Sequence, residues 1–320
     1  MSRGGAEVVI GLSAVVVTLR GDEACVLLAR RPDGEPALPS GPFDPQGHRT
    51  FELALRDFVA DQAGFALGFV EQLYTFGDQG RDAPRAELGR GAARVVSVGY
   101  LGLTGPLTAA EDPRNGEWSP LVRFFPWEDW REGRPPIIDQ LIMPALADWA
   151  KGHAARGARI AGLFAGDGAR WNEDRVLERY ELLYEAGLVA EAARDRGAEL
   201  FGGAARLGQP LASDHRRILA TGLGRLRSKL KYRAVIFDLM AAEFTLGELQ
   251  KATEAVAGLR LHKQNFRRTV ERTGLVMRTG RLHAETGGRP AELFRFNRSH
   301  LGAGLQEGLS LPRDPGLTSR

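Results

Sequence analysis

The chain has 320 residues, of which 43% are hydrophobic, and its 43 Lys and Arg against 40 Asp and Glu give a net charge of +3. This length and apolar content predict two domains, each able to bury its own core. The single cysteine, Cys25, excludes a disulfide framework, and the apolar run around it favours a buried strand residue over a nucleophile.

The sequence contains no segment typical of a membrane or secreted protein. Its longest nearly apolar run, Val8–Leu19, has 12 residues, which is too short to cross a bilayer. The start, MSRGGAEVV, lacks the charged region and cleavage site of a signal peptide. The six histidines are scattered without metal-ligand spacing. We therefore expect a soluble, cytoplasmic protein with no membrane partner.

The N-terminal part is predicted to be a sheet with one helix. Val8–Leu19 and Ala24–Arg31 are β-rich runs separated by a Gly-Asp-Glu turn, which predicts adjacent strands. Thr50–Ala63 predicts a helix with Thr50 as its N-cap, closed by a Gly-Phe pair. Arg94–Leu103 alternates apolar and polar residues, as a strand does.

The middle of the chain is helical by pattern. Ile137–Lys151 and Trp171–Arg196 have apolar residues at helical spacing, and Asp214–Leu230 predicts a basic helix that leads into the C-terminal module. The Gly- and Ala-rich segment Gly152–Gly168 predicts a loop or linker. The aromatic and proline-rich stretch Glu117–Ile138 favours core packing over a platform for stacking nucleic-acid bases.

The C-terminal part is predicted to be a winged helix-turn-helix. Tyr232–Met240 predicts the first helix, and Thr245 caps a second helix that Gly258 ends. A third helix begins near Leu261 and stops at Gly274. Two short strands then form a hairpin around a Gly-rich tip. They are predicted at Leu275–Thr279 and Glu292–Asn297.

This module is basic while the rest of the chain is acidic. Arg225 to Arg298 holds 16 Lys and Arg against 7 Asp and Glu, a net of +9, which leaves −6 for the remainder. A basic module on an acidic body is typical of nucleic-acid binding, although a basic amphipathic helix alone can be just a solvated face. The predicted DNA contacts are His262, Lys263, Gln264, Asn265, Arg267, Arg268 and, at the hairpin tip, Arg289.

The predicted contacts divide by chemistry. Gln264 and Asn265 can each bond adenine at two points, whereas Lys263 can reach guanine or a phosphate. Arg267 and Arg268 come one turn later and favour phosphates. Phe266 shares a face with Val270 and is predicted to be core, while Arg289 is placed to enter a minor groove.

Several motifs carry a family resemblance. The strands, an LPSG turn, a helix ending in AGF, LYTFGDQGRD and RVVSVGYLGL together resemble the Nudix domain. More narrowly, the chain is similar to Nudix-related bacterial transcriptional regulators of NAD metabolism, the NrtR-like proteins, in which that domain precedes a winged helix. YRAVIFDL, EFTLGELQ, LHKQNFRR and GRPAELFRF carry a second, independent match. In its length and its long helical middle region, the chain is most similar to the alphaproteobacterial NadQ type.

The resemblance implies an α+β fold in four parts. Residues 1–150 would form a Nudix-like α/β/α sandwich that senses a ligand, and residues 151–227 a helical connecting region. Residues 228–300 would form the winged helix-turn-helix that binds DNA, followed by a disordered tail at residues 301–320.

The predicted Nudix helix departs from the pattern of the enzymes. Their signature, G-x5-E-x7-R-E-U-x-E-E-x-G-U, uses glutamates to hold divalent metal ions. Aligned back from the glycine that closes the helix, the glutamate positions fall on Phe58, Asp61 and Gln62, and a shift of one residue restores no glutamate. We therefore expect no enzyme. Asp57 and Asp61 stay weak candidates for a metal, against the plainer interpretation of a solvated helix face.

The resemblance implies a repressor of NAD biosynthesis genes that binds a palindromic operator as a homodimer. No cofactor is required, but a nucleotide effector such as NAD, ATP or ADP-ribose is expected. The predicted ligand contacts are Arg30, Arg81, Asp82 and Arg94, although any one arginine alone fits an exposed surface charge. The alternative is an active Nudix pyrophosphohydrolase of ADP-ribose whose winged domain serves assembly. A purely structural partner-binding protein is a third, weaker option.

Overall fold

The structure is a computed structural model that describes residues 8–31, 34–65, 67–77, 94–106, 113, 116–166, 170–283 and 290–301. Its N-terminal sheet has the strand order β3-β2-β1-β6-β5, with β4 paired to β1 and β7 paired to β2. β1 and β6 run parallel, and the other paired strands run antiparallel. The strands are β1 (Val8–Arg20), β2 (Glu23–Arg30), β3 (Pro36–Ala37), β4 (Ser40–Pro42), β5 (Val70–Phe76), β6 (Arg94–Leu103) and β7 (Gly116–Pro120).

Helices cover both faces of this sheet and form the middle of the chain. They are α1 (Phe51–Ala63), α2 (Met143–Trp149, preceded by a π-helical turn at Ile138–Ile142), α3 (Ala154–Leu163), α4 (Val176–Glu185), α5 (Ala190–Arg196) and α6 (His215–Leu230). None of the helices in the described ranges is long and apolar enough to cross a membrane.

The alternation of side chains along β1 separates two cores. Leu12, Ala14 and Val16 belong to a cluster with α1 on one face of the sheet. Val15 and Val17 point to the opposite face and pack in a cluster that includes residues of α6. Successive side chains of a strand alternate between faces, so β1 is the central layer of the predicted α/β/α sandwich.

The outer helix layer comes from an unexpected part of the chain. The sequence predicts α6 as a basic helix that leads into the DNA-binding module, but α6 packs on β1, β5 and β6 of the sheet. Gly222 permits this approach, because a Cβ atom there would lie 2.9 Å from Cγ1 of Val15. The absence of a side chain at Gly222 therefore lets α6 pack on the sheet and cover its second face.

One prediction for the middle region is wrong, and another gains detail. Gly152–Gly168 is not a loop throughout, since it contains α3, whose Ile160 and Leu163 are buried. Core contacts there outweigh the low helix propensity of glycine. Trp171–Arg196 is helical, as predicted, and contains two helices, because the chain turns between α4 and α5 at Gly187, which has a positive φ of 75°.

The C-terminal module has the predicted winged-helix order with one difference. The predicted first helix, Tyr232–Met240, is only a short 3-10 helix at Val235–Leu239. The segment is rich in β-branched and aromatic residues, which lose side-chain freedom in an α-helix and so lower its helix propensity. The remaining elements are β8 (Phe244–Thr245), α7 (Leu246–Ala257), α8 (Lys263–Thr273), β9 (Val276–His283), β10 (Ala291–Phe296) and a final turn, α9 (Arg298–Leu301).

A buried ion-pair network joins the module to the body. The carboxylate of Glu128 accepts hydrogen bonds from Arg179 of α4 at 2.6 and 2.8 Å and from Arg227 of α6 at 2.6 Å. Arg227 also donates through Nε to the carbonyl of Val256 in α7, at 2.9 Å. All three charged side chains are almost completely buried, so this ion-pair network lies inside the hydrophobic core.

Candidate nucleic-acid interface and nucleotide cleft

The position of α7 is set by its two ends. Thr245 accepts a hydrogen bond from the backbone N–H of Glu248 at 3.1 Å, and the Glu248 carboxylate accepts one from the N–H of Thr245 at 2.7 Å. This reciprocal cap confirms the predicted start of the helix. Gly258 ends it with a φ of 66°, as predicted. The chain then reverses into α8.

The rotation of α8 is set by its buried face. Phe266 and Val270 are fully buried, as predicted, and they hold one side of α8 against the module's core. The opposite side, which carries most of the predicted DNA contacts, points outward. Lys263, Gln264, Arg267, Arg268 and Arg272 are all exposed.

Two of the predicted contacts also have structural roles. His262 is the N-cap of α8, where its Nδ1 accepts a hydrogen bond from the N–H of Asn265 at 3.4 Å. One ring nitrogen is therefore used by the helix, which leaves the other for an outside partner. Asn265 is half-buried, and its Oδ1 accepts from Arg268 at 3.2 Å. The amide of Asn265 thus orients Arg268.

The strands β8, β9 and β10 form a three-stranded sheet, which adds positive charge beside α8. β10 pairs with both β8 and β9. Three exposed arginines on its strands, Arg278, Arg281 and Arg295, were not predicted as contacts, although their recurrence along the two short strands is visible in the sequence. Arg278 pairs with Glu292 at 2.8 Å, and Arg281 pairs with Glu243. The predicted tip contact, Arg289, lies outside the described residues.

A cleft of about 780 Å³ lies at the edge of the N-terminal sheet. It opens between the end of β2, the β3–β4 segment and α1. Arg30, a predicted ligand contact, lines it together with Arg31, which sequence reasoning missed although the two are adjacent. Phe58 and Gln62 of α1 line the facing side. A basic wall opposite an aromatic and an amide side chain can bind an anionic ligand that also carries an aromatic ring.

The other predicted ligand contacts are not among the described residues that line this cleft. Arg81 and Asp82 lie outside the described part of the chain, and only the backbone of Arg94, in β6, is described. Their assignment as ligand contacts stays a prediction.

The face of α1 that meets the cleft carries Phe58 and Gln62 rather than acids. Asp57 and Asp61 are exposed, and the Asp57 carboxylate lies 3.6 Å from Nε2 of His48. Within the described ranges, no three His, Cys, Asp or Glu side chains are grouped to hold a metal ion. The interpretation of the two aspartates stays a prediction.

Comparisons with known proteins agree with this geometry. Residues 236–296 match the family described as the NrtR DNA-binding winged helix domain. The chain is also 41% identical over 86 residues to the ADPR responsive transcriptional repressor NtrR of Acinetobacter baylyi. The C-terminal module is therefore similar to the NrtR winged helix. The match to the Acinetobacter baylyi repressor covers 27% of this chain and 34% of the relative, so the chain spans about a third of the curated relative's length.

Solved structures extend the likeness of fold along most of the chain. Shewanella oneidensis NrtR in complex with a 27mer DNA superposes with a TM-score of 0.56 and 20% identity, covering 94% of this chain and 98% of that one. A MutT/nudix family protein from Enterococcus faecalis superposes with a TM-score of 0.51 and 16% identity, covering 93% and 89%. The predicted fold class, a Nudix-like domain followed by a winged helix, is confirmed.

Proposed function

We propose that the protein is a transcriptional regulator that binds operator DNA through α8 and is controlled by a nucleotide in the cleft. The observation that carries this proposal is the exposed polar and basic face of α8, which stands opposite the buried Phe266 and Val270. The first residues of a recognition helix meet base edges in the major groove, and here they are Lys263 and Gln264. The family matched by residues 236–296 supports the same role.

The operator is expected to be palindromic and the protein a homodimer in the cytoplasm. A single winged helix presents one short recognition helix and buries too little surface for tight, specific binding. Two copies related by a twofold axis would read two half-sites about 34–36 Å apart, or a multiple of that distance. Repression of NAD biosynthesis genes is the regulatory role that the resemblance favours, and assignment to the NadQ type remains part of this proposal.

ADP-ribose is the first candidate for the nucleotide, because the Acinetobacter baylyi relative is named as responsive to ADPR. NAD and ATP share its adenosine diphosphate part and remain alternatives. The cleft offers Arg30 and Arg31 for phosphates and Phe58 for a ring. Arginine binds phosphate oxygens at two points, which gives both affinity and orientation.

Operator binding is tested by titrating the protein on promoter fragments of the organism's own NAD biosynthesis genes, with and without ADP-ribose, NAD or ATP. We expect a specific complex on at least one promoter and a change in its Kd with one of the three nucleotides. A scrambled duplex of equal length and composition is the control. Equal binding to promoter and scrambled duplexes at all salt concentrations contradicts the proposal.

Hydrolysis is expected to be absent, since Phe58 and Gln62 occupy the cleft-facing positions of α1 where acids would hold metal ions. The measurement is AMP release from ADP-ribose with Mg²⁺ or Mn²⁺. Metal-dependent turnover that Asp57→Ala or Asp61→Ala abolishes would establish the alternative, a Nudix pyrophosphohydrolase.

A further inference from the structure

The N-terminal end of α6 touches the floor of the cleft. His215, the first residue of α6, is fully buried, and its Nδ1 accepts a hydrogen bond from the backbone N–H of Leu38 at 3.0 Å. Leu38 lines the cleft. Burial, helped by the charges of Arg31 and Arg194, lowers the pKa of His215 to about 3. The imidazole therefore stays neutral at physiological pH, and Nδ1 remains an acceptor.

The C-terminal end of α6 holds the helix that precedes the recognition helix. Arg227 donates to the carboxylate of Glu128 and to the carbonyl of Val256, which belongs to the last turn of α7. Gly258 follows directly, and a Cβ atom there would lie 2.5 Å from Nη2 of Arg227. A displacement of Arg227 would therefore act on the turn that connects α7 to α8.

Between these ends, α6 is packed closely against β1 and against the segment before α4. A Cβ atom at Gly222 would lie 2.9 Å from Val15, and one at Gly224 would lie 2.7 Å from the carbonyl of Asp174. An interior glycine destabilises a helix relative to alanine, and here close packing offsets that cost. His215 and Arg227 are twelve residues apart, or about 18 Å along the axis. Close-packed interiors of this kind transmit displacement.

We propose that α6 couples the cleft to the recognition helix, with His215 and Arg227 as the positioning residues at its two ends. This inference rests on the proposed function, because it assigns the route by which a nucleotide changes DNA affinity. A ligand that shifts Leu38 moves the start of α6, and Arg227 carries that movement to the end of α7. Coupling between two sites in one protein typically changes affinity by a factor of about 5–150.

The test is the ratio of operator Kd values with and without saturating nucleotide, measured by fluorescence anisotropy on the full-length protein. ADP-ribose, NAD and ATP are each tried, and the one with the largest effect is used. We expect a wild-type ratio of at least about 5-fold in one direction. His215→Leu, which removes the acceptor for Leu38, and Arg227→Lys, which loses the forked contact, should bring the ratio to within about 2-fold of one.

Two further variants separate coupling from general damage. His215→Asn places an amide oxygen near the position of Nδ1 and should restore most of the ratio. Lys251→Ala removes an exposed ion pair between α7 and Asp22, at 2.9 Å across the same boundary, and should leave the ratio unchanged. Each variant is first checked for folding by circular dichroism, and if Arg227→Lys does not fold, the two His215 variants decide.

The outcomes are distinguishable. A wild-type ratio above about 5-fold that His215→Leu leaves intact overturns the α6 route alone, and so does a loss of coupling that His215→Asn fails to restore. A wild-type ratio of one with specific operator binding overturns nucleotide control, and with it the route. Absence of specific operator binding overturns the proposed function itself.

Discussion

Replacing Arg267 and Arg268 together by alanine is expected to weaken operator binding on the order of 10- to 100-fold at about 0.1 M salt, because each phosphate contact releases condensed counterions. Both side chains are exposed on the outward face of α8. The slope of log K against log salt should fall by about 2, or about 1 for each lost contact. Scrambled duplex should lose affinity in the same proportion, since phosphates carry no sequence.

Gln264→Ala is the informative comparison within the same helix. Loss of a base-reading contact should cost about 1–3 kcal/mol on the operator and relax preference at one position, with little change of salt slope. Arg159→Ala is the control for loss of a positive charge elsewhere, because Arg159 pairs with Glu185 in the middle helices, away from α8. If the double variant binds operator and responds to salt as the Arg159 control does, α8 is not the recognition helix.

Glu128→Ala is expected to lower the free energy of unfolding by about 3–5 kcal/mol, since removal of one partner from a buried ion pair leaves a charge that cannot regain its hydration. The substitution leaves Arg179 and Arg227, both almost completely buried, without the carboxylate that accepts from them. The measurement is urea denaturation, followed by both circular dichroism and tryptophan fluorescence.

Glu132→Ala provides the matched control four residues further along the chain. Glu132 also pairs with an arginine of the C-terminal module, Arg260, at 3.2 Å, but that pair is exposed. Exposed ion pairs contribute about 0–1 kcal/mol. If Glu128→Ala lowers the free energy of unfolding no more than Glu132→Ala does, the buried ion-pair network does not stabilise the protein.

The helices whose ends carry capping residues were predicted most accurately from the sequence. Thr50 accepts from the N–H of Leu53 at 3.2 Å, and Gly64 ends α1 in the left-handed conformation. Thr245, Gly258 and the glycine that ends α8 act in the same way at the winged helix. These signals act within three or four residues, so they can be read without knowledge of the fold.

The features that sequence reasoning missed depend on distant partners. Glu128 meets Arg179 and Arg227, which lie 51 and 99 residues away along the chain. The packing of α6 on the sheet depends on the approach of Gly222 to Val15, which no local pattern announces. Likewise, Arg31 lies beside the predicted contact Arg30, but only the cleft indicates that both can meet a ligand.

The place of α6 in the core limits how such a protein can be cut or recombined. The same helix covers the sheet and, through Arg227, holds α7, and the core cluster it belongs to continues from β1 to Phe294 in the hairpin. A fragment divided at residue 227 would split α6 and leave apolar surface exposed on both pieces. Exchange of DNA-binding modules between relatives would therefore have to carry a matching α6 and sheet face with each module. We therefore expect the N-terminal domain and the winged helix to be inherited together as one unit.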